Sequence, residues 1–251
     1  MDEPLLALTK VSKRFGGTVA ADAVSFTLQR GELAALIGPN GAGKSTLVGL
    51  IAGRLRPDGG HVTLRGRDIP LQPHHAARLG IGRLFQEVRL FGRLTVLETV
   101  LLGAAPGVGE TVSGALLQPR RARREEAARV ERATAELAFV GLADRADALA
   151  GSLSYGQQKL VALARLLAGE AELLLLDEPA SGLHPRLVAQ QAELLARIAA
   201  SGRTVLLVEH NMGLVEAVAR RVLLLDRGRL VADGAAAEVM AGEAMRAAYY
   251  L

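Results

Sequence analysis

The sequence predicts an α/β fold with a central, mostly parallel sheet. Two largely apolar runs, residues 173–176 and 204–208, lack the polar alternation of a half-exposed strand. Such runs are typical of parallel strands that are covered on both faces. Helical segments separate the predicted strands along the chain, as parallel connections require. With 251 residues, 50% of them hydrophobic and none a cysteine, the chain can bury a large core without disulfides.

One predicted core strand leads into a glycine-rich segment. Residues 33–37 are apolar, residues 38–45 read G-P-N-G-A-G-K-S, and an apolar helix start follows. This is the P-loop pattern in the strand–loop–helix context that supports it. The loop and the helix N-terminus can hold phosphate oxygens, Lys44 can contact the β- and γ-phosphates, and Ser45 can ligate Mg²⁺. The predicted nucleotide-binding residues here are Gly38, Pro39, Asn40, Gly41, Ala42, Gly43, Lys44, Ser45 and Thr46.

Four polar residues stand at or just after the ends of other predicted strands: Gln86, Asp177, Glu178 and His210. Because the carboxyl ends of parallel strands meet at one edge of a sheet, we expect these side chains near the P-loop. Asp177 suits Mg²⁺, and Glu178 suits a general base that activates water. His210 can donate to the γ-phosphate, and Gln86 can bind metal or water. Singly, the two carboxylates could instead cap a helix, and the histidine could be structural.

In addition to the nucleotide-binding residues of the loop, these assignments predict a set of catalytic residues and a set of metal ligands. The catalytic set is Glu178, His210, Gln86 and Lys44, and the metal ligands are Ser45, Gln86 and Asp177.

The remaining segments predict additions to the central sheet. Residues 5–11, 23–28 and 61–64 are short strand-like runs between turns and predict an N-terminal antiparallel β-subdomain. Residues 222–225 and 230–232 predict a closing hairpin. Residues 88–152 predict an inserted helical lobe. It contains a capping box at Thr95 and Glu98, a glycine-rich loop at 103–114, and a long helix that begins at Pro119 and stops at Gly141.

Five motifs, in this order, resemble those of the ATP-binding cassette (ABC) ATPases. They are the P-loop, Gln86, the signature motif L-S-Y-G-Q at 153–157, the Walker B strand at 173–178, and the switch histidine His210. The resemblance implies one cassette, with residues 1–87 and 153–251 as a RecA-like core and residues 88–152 as the helical subdomain. It implies that Phe15 stacks on adenine, for which a core phenylalanine is the alternative. The sequence departs from the family at His184, where aspartate is frequent.

The signature motif implies a partner. Ser154, Gly156 and Gln157 stand at a predicted helix start, where backbone N–H groups bind anions. In ABC ATPases this site completes the nucleotide site of a second cassette. The resemblance therefore implies ATP and Mg²⁺ as cofactors, and a homodimer or a paired heterodimer of cassettes.

Further stretches resemble the ATPase subunits of branched-chain amino acid importers: R-F-G-G at 14–17, F-Q-E-V-R-L-F at 85–91 and E-H-N-M at 209–212. This resemblance implies docking on transmembrane permease subunits through the segment after Gln86 and the helical lobe. It also implies a substrate-binding protein as an indirect partner, and a peripheral position on the cytoplasmic face of the inner membrane. Leu90, Phe91 and Leu94 are either a docking patch or lobe core.

Several alternatives share these sequence features. Urea importers and lipopolysaccharide exporters have similar ATPases. Two further alternatives are a soluble ABC ATPase that acts on DNA or ribosomes and a regulatory module that binds nucleotide without hydrolysing it. The net charge is +4, but the arginines at 120–124 lack interleaved aromatic residues, so no nucleic-acid partner is expected. No apolar run approaches the ~18 residues of a membrane span.

Overall fold

The structure, a computed structural model, describes residues 3–249, except for the side chains of Val112, Ala115 and Pro185. The chain forms two compact units. The first comprises Met1–Gln86 with Ala171–Leu251, and the second comprises Glu87–Glu170. The helix that follows the signature motif thus belongs to the second unit. The division into domains at residues 88 and 152 stays a prediction.

Among the described residues 3–249, the strands of the first unit number ten. They are β1 (Leu6–Phe15), β2 (Thr18–Leu28), β3 (Leu33–Ile37), β4 (Gly59–Leu64), β5 (Arg67–Asp68), β6 (Ile81–Leu84), β7 (Leu173–Asp177), β8 (Thr204–Val208), β9 (Arg221–Asp226) and β10 (Arg229–Ala235).

Helices occur in both units. In chain order they are α1 (Lys44–Ile51), α2 (Pro73–Arg78), α3 (Val96–Leu101), α4 (Val112–Leu117), α5 (Pro119–Phe139), α6 (Tyr155–Ala168), α7 (Pro185–Ala200), α8 (Met212–Val218), α9 (Ala236–Ala241) and α10 (Glu243–Tyr249). Among residues 3–249, none of the helices combines the length and apolar character needed to cross a bilayer.

The central sheet has six strands in the order β10-β9-β3-β8-β7-β6. All neighbouring pairs are parallel except β9 with β10, which forms the predicted closing hairpin. Every residue of β3, β7 and β8 is buried, which confirms the predicted parallel core strands. Val208 pairs with both Leu36 and Asp177, so the carboxyl ends of β3, β7 and β8 coincide at one edge of the sheet.

The second sheet is antiparallel, with the order β2-β1-β4-β5, and confirms the predicted antiparallel arrangement. Leu6 pairs with Leu28 on one side and Leu64 on the other, and all three belong to one hydrophobic core. Strands β1 and β2 are longer than predicted. Their ladder continues through register shifts into polar residues, because main-chain hydrogen bonds do not require apolar side chains.

In the second unit, α3, α5 and α6 pack against one another. The predicted capping box opens α3: Thr95 Oγ1 accepts from the Glu98 amide at 3.1 Å, and the Glu98 carboxylate accepts from the Thr95 amide at 2.7 Å. The hydrogen bond from the Thr95 amide to the carboxylate, together with one from the Thr95 hydroxyl, holds the pKa of Glu98 below its usual value. The long helix from Pro119 is also confirmed.

The predicted loop at residues 103–114 is wrong in its second half. A 3₁₀ turn forms at Val108–Glu110, and α4 follows it. Contacts with α5 hold this turn, since the Glu125 carboxylate accepts from the Val108 amide at 2.8 Å and Arg129 pairs with Glu110 at 2.8 Å. Helices α8, α9 and α10 were not predicted either, because such short helices depend on tertiary packing rather than on local propensity.

Candidate functional site

The P-loop connects β3 to α1, as predicted. Two of its glycines are required by close backbone approach: a Cβ atom at Gly38 would meet the carbonyl oxygen of Leu225, and one at Gly43 would meet that of Ala20. Gly43 is the N-cap of α1 with φ 104°, and it contributes no side-chain cap. The N–H groups of the first helical turn are therefore left for a ligand, which suits a phosphate.

Lys44 lies folded onto this loop. Its ammonium donates to the carbonyl oxygens of Gly38 at 2.6 Å and Pro39 at 3.0 Å. Partial burial lowers the pKa of Lys44, while the nearby carboxylates of Glu178 and Asp177 act in the opposite direction. The two acidic residues thus lie close enough to the lysine to interact with its charge, and phosphate oxygens could replace the two carbonyl partners.

Tyr249, from α10, supports the start of the P-loop. Its hydroxyl accepts a hydrogen bond from the Gly38 amide at 2.9 Å. Burial raises the pKa of the Tyr249 phenol, and the hydrogen bond from Gly38 opposes that shift. Sequence reasoning missed this residue, because no motif connects positions that lie 211 residues apart.

Replacing Tyr249 with phenylalanine is expected to weaken both folding and ATP binding. The partly buried Gly38 amide would lose its acceptor, which costs about 1–2 kcal/mol in the free energy of unfolding. We expect a roughly fivefold to tenfold increase in the Kd for ATP, because the loop is less well held. Chemical denaturation and equilibrium ATP binding measure the two effects. Tyr155→Phe removes a hydroxyl from a side chain that is 47% exposed and should leave the unfolding free energy unchanged. Wild-type values for Tyr249→Phe would contradict this role.

Glu178 lies with two other predicted catalytic residues. The Gln86 amide nitrogen donates to Glu178 Oε2 at 2.7 Å, and His210 Nδ1 lies 3.6 Å from Glu178 Oε1. The Glu178 amide donates to Val208 at 2.9 Å, so the residue is fixed where β7 and β8 end. Its φ of 48° lies in the left-handed region, which non-glycine residues adopt mostly at turns and functional sites. The structure therefore brings Gln86, Glu178 and His210 together.

Asp177, the predicted metal ligand, pairs with a residue that sequence reasoning missed. Arg83 of β6 donates to Asp177 Oδ2 at 2.8 Å, and both side chains are 13% exposed. The Arg83 Nε atom is buried without a hydrogen-bond partner. Arg83 gave no signal in the sequence because it lies within a strand rather than at its end.

The predicted metal ligands fit Mg²⁺ in their chemistry. A carboxylate, a hydroxyl and an amide supply oxygen donors, which hard cations prefer. Among residues 3–249 there is no cluster of three histidine, aspartate or glutamate side chains that would hold a metal by itself. Phosphate and water oxygens would complete the coordination, as is usual for Mg²⁺.

Phe15, predicted to stack on adenine, ends β1 and is 48% exposed. The Lys13 ammonium lies 5.5 Å from the centre of its ring. This exposure excludes the alternative of a core phenylalanine. Phe91 is also outside the core of the second unit, since it is 63% exposed.

The signature motif lies in the second unit, at the start of α6. Ser154 is the N-cap, and its hydroxyl accepts from the Gln157 amide at 3.4 Å, while Gln157 Oε1 accepts from the Ser154 amide at 3.1 Å. This capping box confirms the predicted helix start. The amide of Gly156 belongs to the first turn, whose N–H groups have no partner within the helix.

His184, where the sequence departs from the family pattern, is the N-cap of α7. Its Nδ1 atom accepts from the Arg186 amide at 3.3 Å. Aspartate is a common N-cap, and the imidazole replaces its carboxylate in this local role.

The model of the ABC transporter family matches residues 21–181. The chain belongs to the ABC transporter family. The ABC cassette is 37% identical over 241 residues to the high-affinity branched-chain amino acid transport ATP-binding protein LivG of Salmonella typhimurium, covering 95% of this chain and 94% of LivG. It is 35% identical to BraF of Pseudomonas aeruginosa, covering 93% and 92%. The phosphonates import ATP-binding protein PhnC of Nocardia farcinica is 40% identical, covering 97% and 90%.

Solved structures support the same conclusion. The cassette matches MJ1267, an ATP-binding cassette of an ABC transporter in its ADP conformation, with a TM-score of 0.79 and 32% identity, covering 93% and 92% of the two chains. It matches cbiO1 from Clostridium perfringens, part of the ABC transporter complex cbiONQ, with a TM-score of 0.81 and 28% identity, covering 97% and 93%. The predicted P-loop α/β fold and the family resemblance are confirmed. The protein is an ABC ATPase, the nucleotide-binding subunit of a transporter.

Proposed function

We propose that this ABC ATPase energises the import of branched-chain or other hydrophobic amino acids. The observation that carries the proposal is the identity of 35–37% to LivG and BraF over more than nine tenths of the chain. The stretches at 14–17, 85–91 and 209–212, which resemble that subgroup, also support it.

In the proposed reaction, ATP binds with its phosphates in the P-loop and its adenine on Phe15. Lys44 exchanges its two carbonyl partners for β- and γ-phosphate oxygens. Glu178 accepts the proton of the attacking water, and the Gln86 amide holds that carboxylate in place. His210 donates a hydrogen bond to the γ-phosphate, where charge develops.

Mg²⁺ would be held by Ser45, Asp177 and Gln86, with ATP supplying further ligands. When bound, it neutralises charge on the β- and γ-phosphates. Arg83 keeps the Asp177 carboxylate oriented through its 2.8 Å ion pair. This pair is mostly shielded from solvent, which reduces screening by salt.

We infer that a second cassette completes the nucleotide site. The amides at the start of α6, next to Ser154 and Gly156, suit the γ-phosphate bound to the partner cassette. The cassette pair would dock on transmembrane permease subunits through the segment after Gln86 and the helical lobe. It would lie peripherally on the cytoplasmic face of the inner membrane and work indirectly with a substrate-binding protein.

Reconstitution tests this function. The chain is co-expressed with the membrane subunits encoded beside its gene, purified, and placed in proteoliposomes with the accompanying substrate-binding protein. We expect ATP-dependent uptake of labelled leucine, and no uptake when the chain carries Glu178→Gln. Uptake of urea or a phosphonate instead would show that the amino acid assignment is wrong. Failure to co-purify with any membrane subunit would favour a soluble ABC ATPase.

A further inference from the structure

A buried carboxylate lies between two loops of the catalytic site. Glu209 directly follows β8, and it is 1% exposed. Its Oε1 atom accepts from the Ala180 amide at 3.0 Å. Its Oε2 atom accepts from the amides of His210 at 3.2 Å and Asn211 at 3.4 Å. One side chain therefore joins the loop after β7 to the loop after β8.

These two loops carry the residues proposed for catalysis. Ala180 comes two residues after Glu178, in a turn that the Ser181 amide closes by donating to the Glu178 carbonyl at 3.1 Å. His210 comes directly after Glu209. The main chain joins the loops through the Glu178 amide and the Val208 carbonyl. Glu209 adds a side-chain connection beyond the end of β8.

The chemistry of this connection requires a carboxylate. Both oxygens accept hydrogen bonds, and the donors are the backbone N–H groups of Ala180, His210 and Asn211. A glutamine has one acceptor oxygen and one NH₂ donor. In either orientation its NH₂ group would face a backbone donor, so one side of the connection would be lost.

We propose that Glu209 is a positioning residue, which ties the loop of Glu178 to the loop of His210 and so fixes the two catalytic side chains relative to each other. The proposal rests on the proposed roles of Glu178 and His210. Misplacement of a catalytic group by about 1 Å can reduce the rate roughly 100-fold, so a small loop shift is sufficient to matter. The amides that the Glu209 carboxylate accepts from lie outside the P-loop, so ATP binding should be spared.

Two substitutions test the connection in the full chain. Glu209→Gln keeps the size of the side chain but replaces one acceptor by a donor. Glu209→Asp is shorter by one methylene, so it retains the amides of the next two residues, as aspartate commonly does, and loses Ala180. For both variants we expect kcat to fall roughly 10- to 100-fold, with the KM for ATP within about twofold of wild type. Hydrogen exchange of the Ala180 amide should become faster.

The matched control is Glu216→Gln, the same chemical change at an exposed position of α8. It should leave kcat, KM and the exchange of Ala180 unchanged. Wild-type kcat in Glu209→Asp would overturn the proposal. If Glu209→Gln does not fold, the aspartate variant decides. If neither variant folds, or if both lose ATP affinity together with melting temperature, Glu209 serves stability and the proposal is likewise overturned.

Glu178→Gln, measured beside these variants, tests the proposed role of Glu178 separately from the positioning role of Glu209. If it turns over ATP at the wild-type rate, the proposed role of Glu178 fails, whatever the Glu209 variants do. If it is inactive while the Glu209 variants keep the wild-type kcat, only the positioning role fails.

Discussion

Replacing Glu178 with glutamine is expected to abolish steady-state ATP hydrolysis and to leave ATP binding intact. The amide cannot accept the proton of the attacking water, and general-base catalysis contributes roughly 10²- to 10⁴-fold to a rate. In the proposed binding mode the P-loop residues, and not the Glu178 side chain, hold the phosphates. We therefore expect kcat to fall at least about 100-fold, with a Kd for ATP near the wild-type value. Phosphate release and equilibrium nucleotide binding measure the two quantities.

The structure adds a detail to this expectation. Gln86 donates to Glu178 Oε2 at 2.7 Å, whereas His210 Nδ1 lies 3.6 Å from Oε1. A glutamine can keep the first contact through its remaining oxygen, so the site should stay assembled. Glu216→Gln, at an exposed position of α8, is the control for a general effect of charge. Steady-state turnover that survives in Glu178→Gln would refute the assignment of the base.

Lys44→Ala is expected to remove nucleotide binding. The ammonium is already held in the P-loop by two carbonyl oxygens, at 2.6 and 3.0 Å, and the phosphates would take their place. Hydrogen bonds to charged groups contribute about 1.5–3 kcal/mol each, so the loss of two raises the Kd at least about 100-fold. Burial lowers the pKa of Lys44, but Glu178 and Asp177 oppose that effect and favour the cation. Isothermal titration with ATP measures the loss.

Lys10→Ala provides the matched control for Lys44→Ala. Lys10 lies on β1, is exposed, and also carries one ammonium charge. Its removal should leave ATP affinity and folding close to wild type. Near-normal ATP binding by Lys44→Ala would show that the lysine does not contact the nucleotide.

Much of the fold follows from local patterns. The strands β7 and β8 could be predicted because both of their faces are covered, so that no polar residue interrupts the apolar run. Helix starts were predictable where a capping residue fixes them, as Thr95 and Ser154 do. The second half of the loop at 103–114 was wrong, because contacts of Glu125 and Arg129 on α5 decide its conformation. Those contacts come from another helix, so the sequence of residues 103–114 shows no hydrophobic periodicity that would predict them.

Some residues of the candidate site could likewise be predicted from the sequence, and others could not. Gln86, Glu178 and His210 were predictable as neighbours because each follows a parallel strand, and parallel strands end at one edge. Their roles remain predictions for the experiments above. Tyr249, Arg83 and Glu209 could not be found in this way, since none belongs to a motif that specifies its contacts.

By itself the sequence determined the P-loop, the order of the motifs and the strands that carry them, because each depends on residues close together in the chain. Only the tertiary structure decided what supports these elements. The hydroxyl of Tyr249 reaches Gly38, Arg83 reaches Asp177, and Glu209 reaches Ala180 across 211, 94 and 29 residues. A hydrogen bond depends on distance in space and on the direction of donor and acceptor. Those atoms meet because the central sheet places β3, β6, β7 and β8 in register and α10 packs near the start of the P-loop.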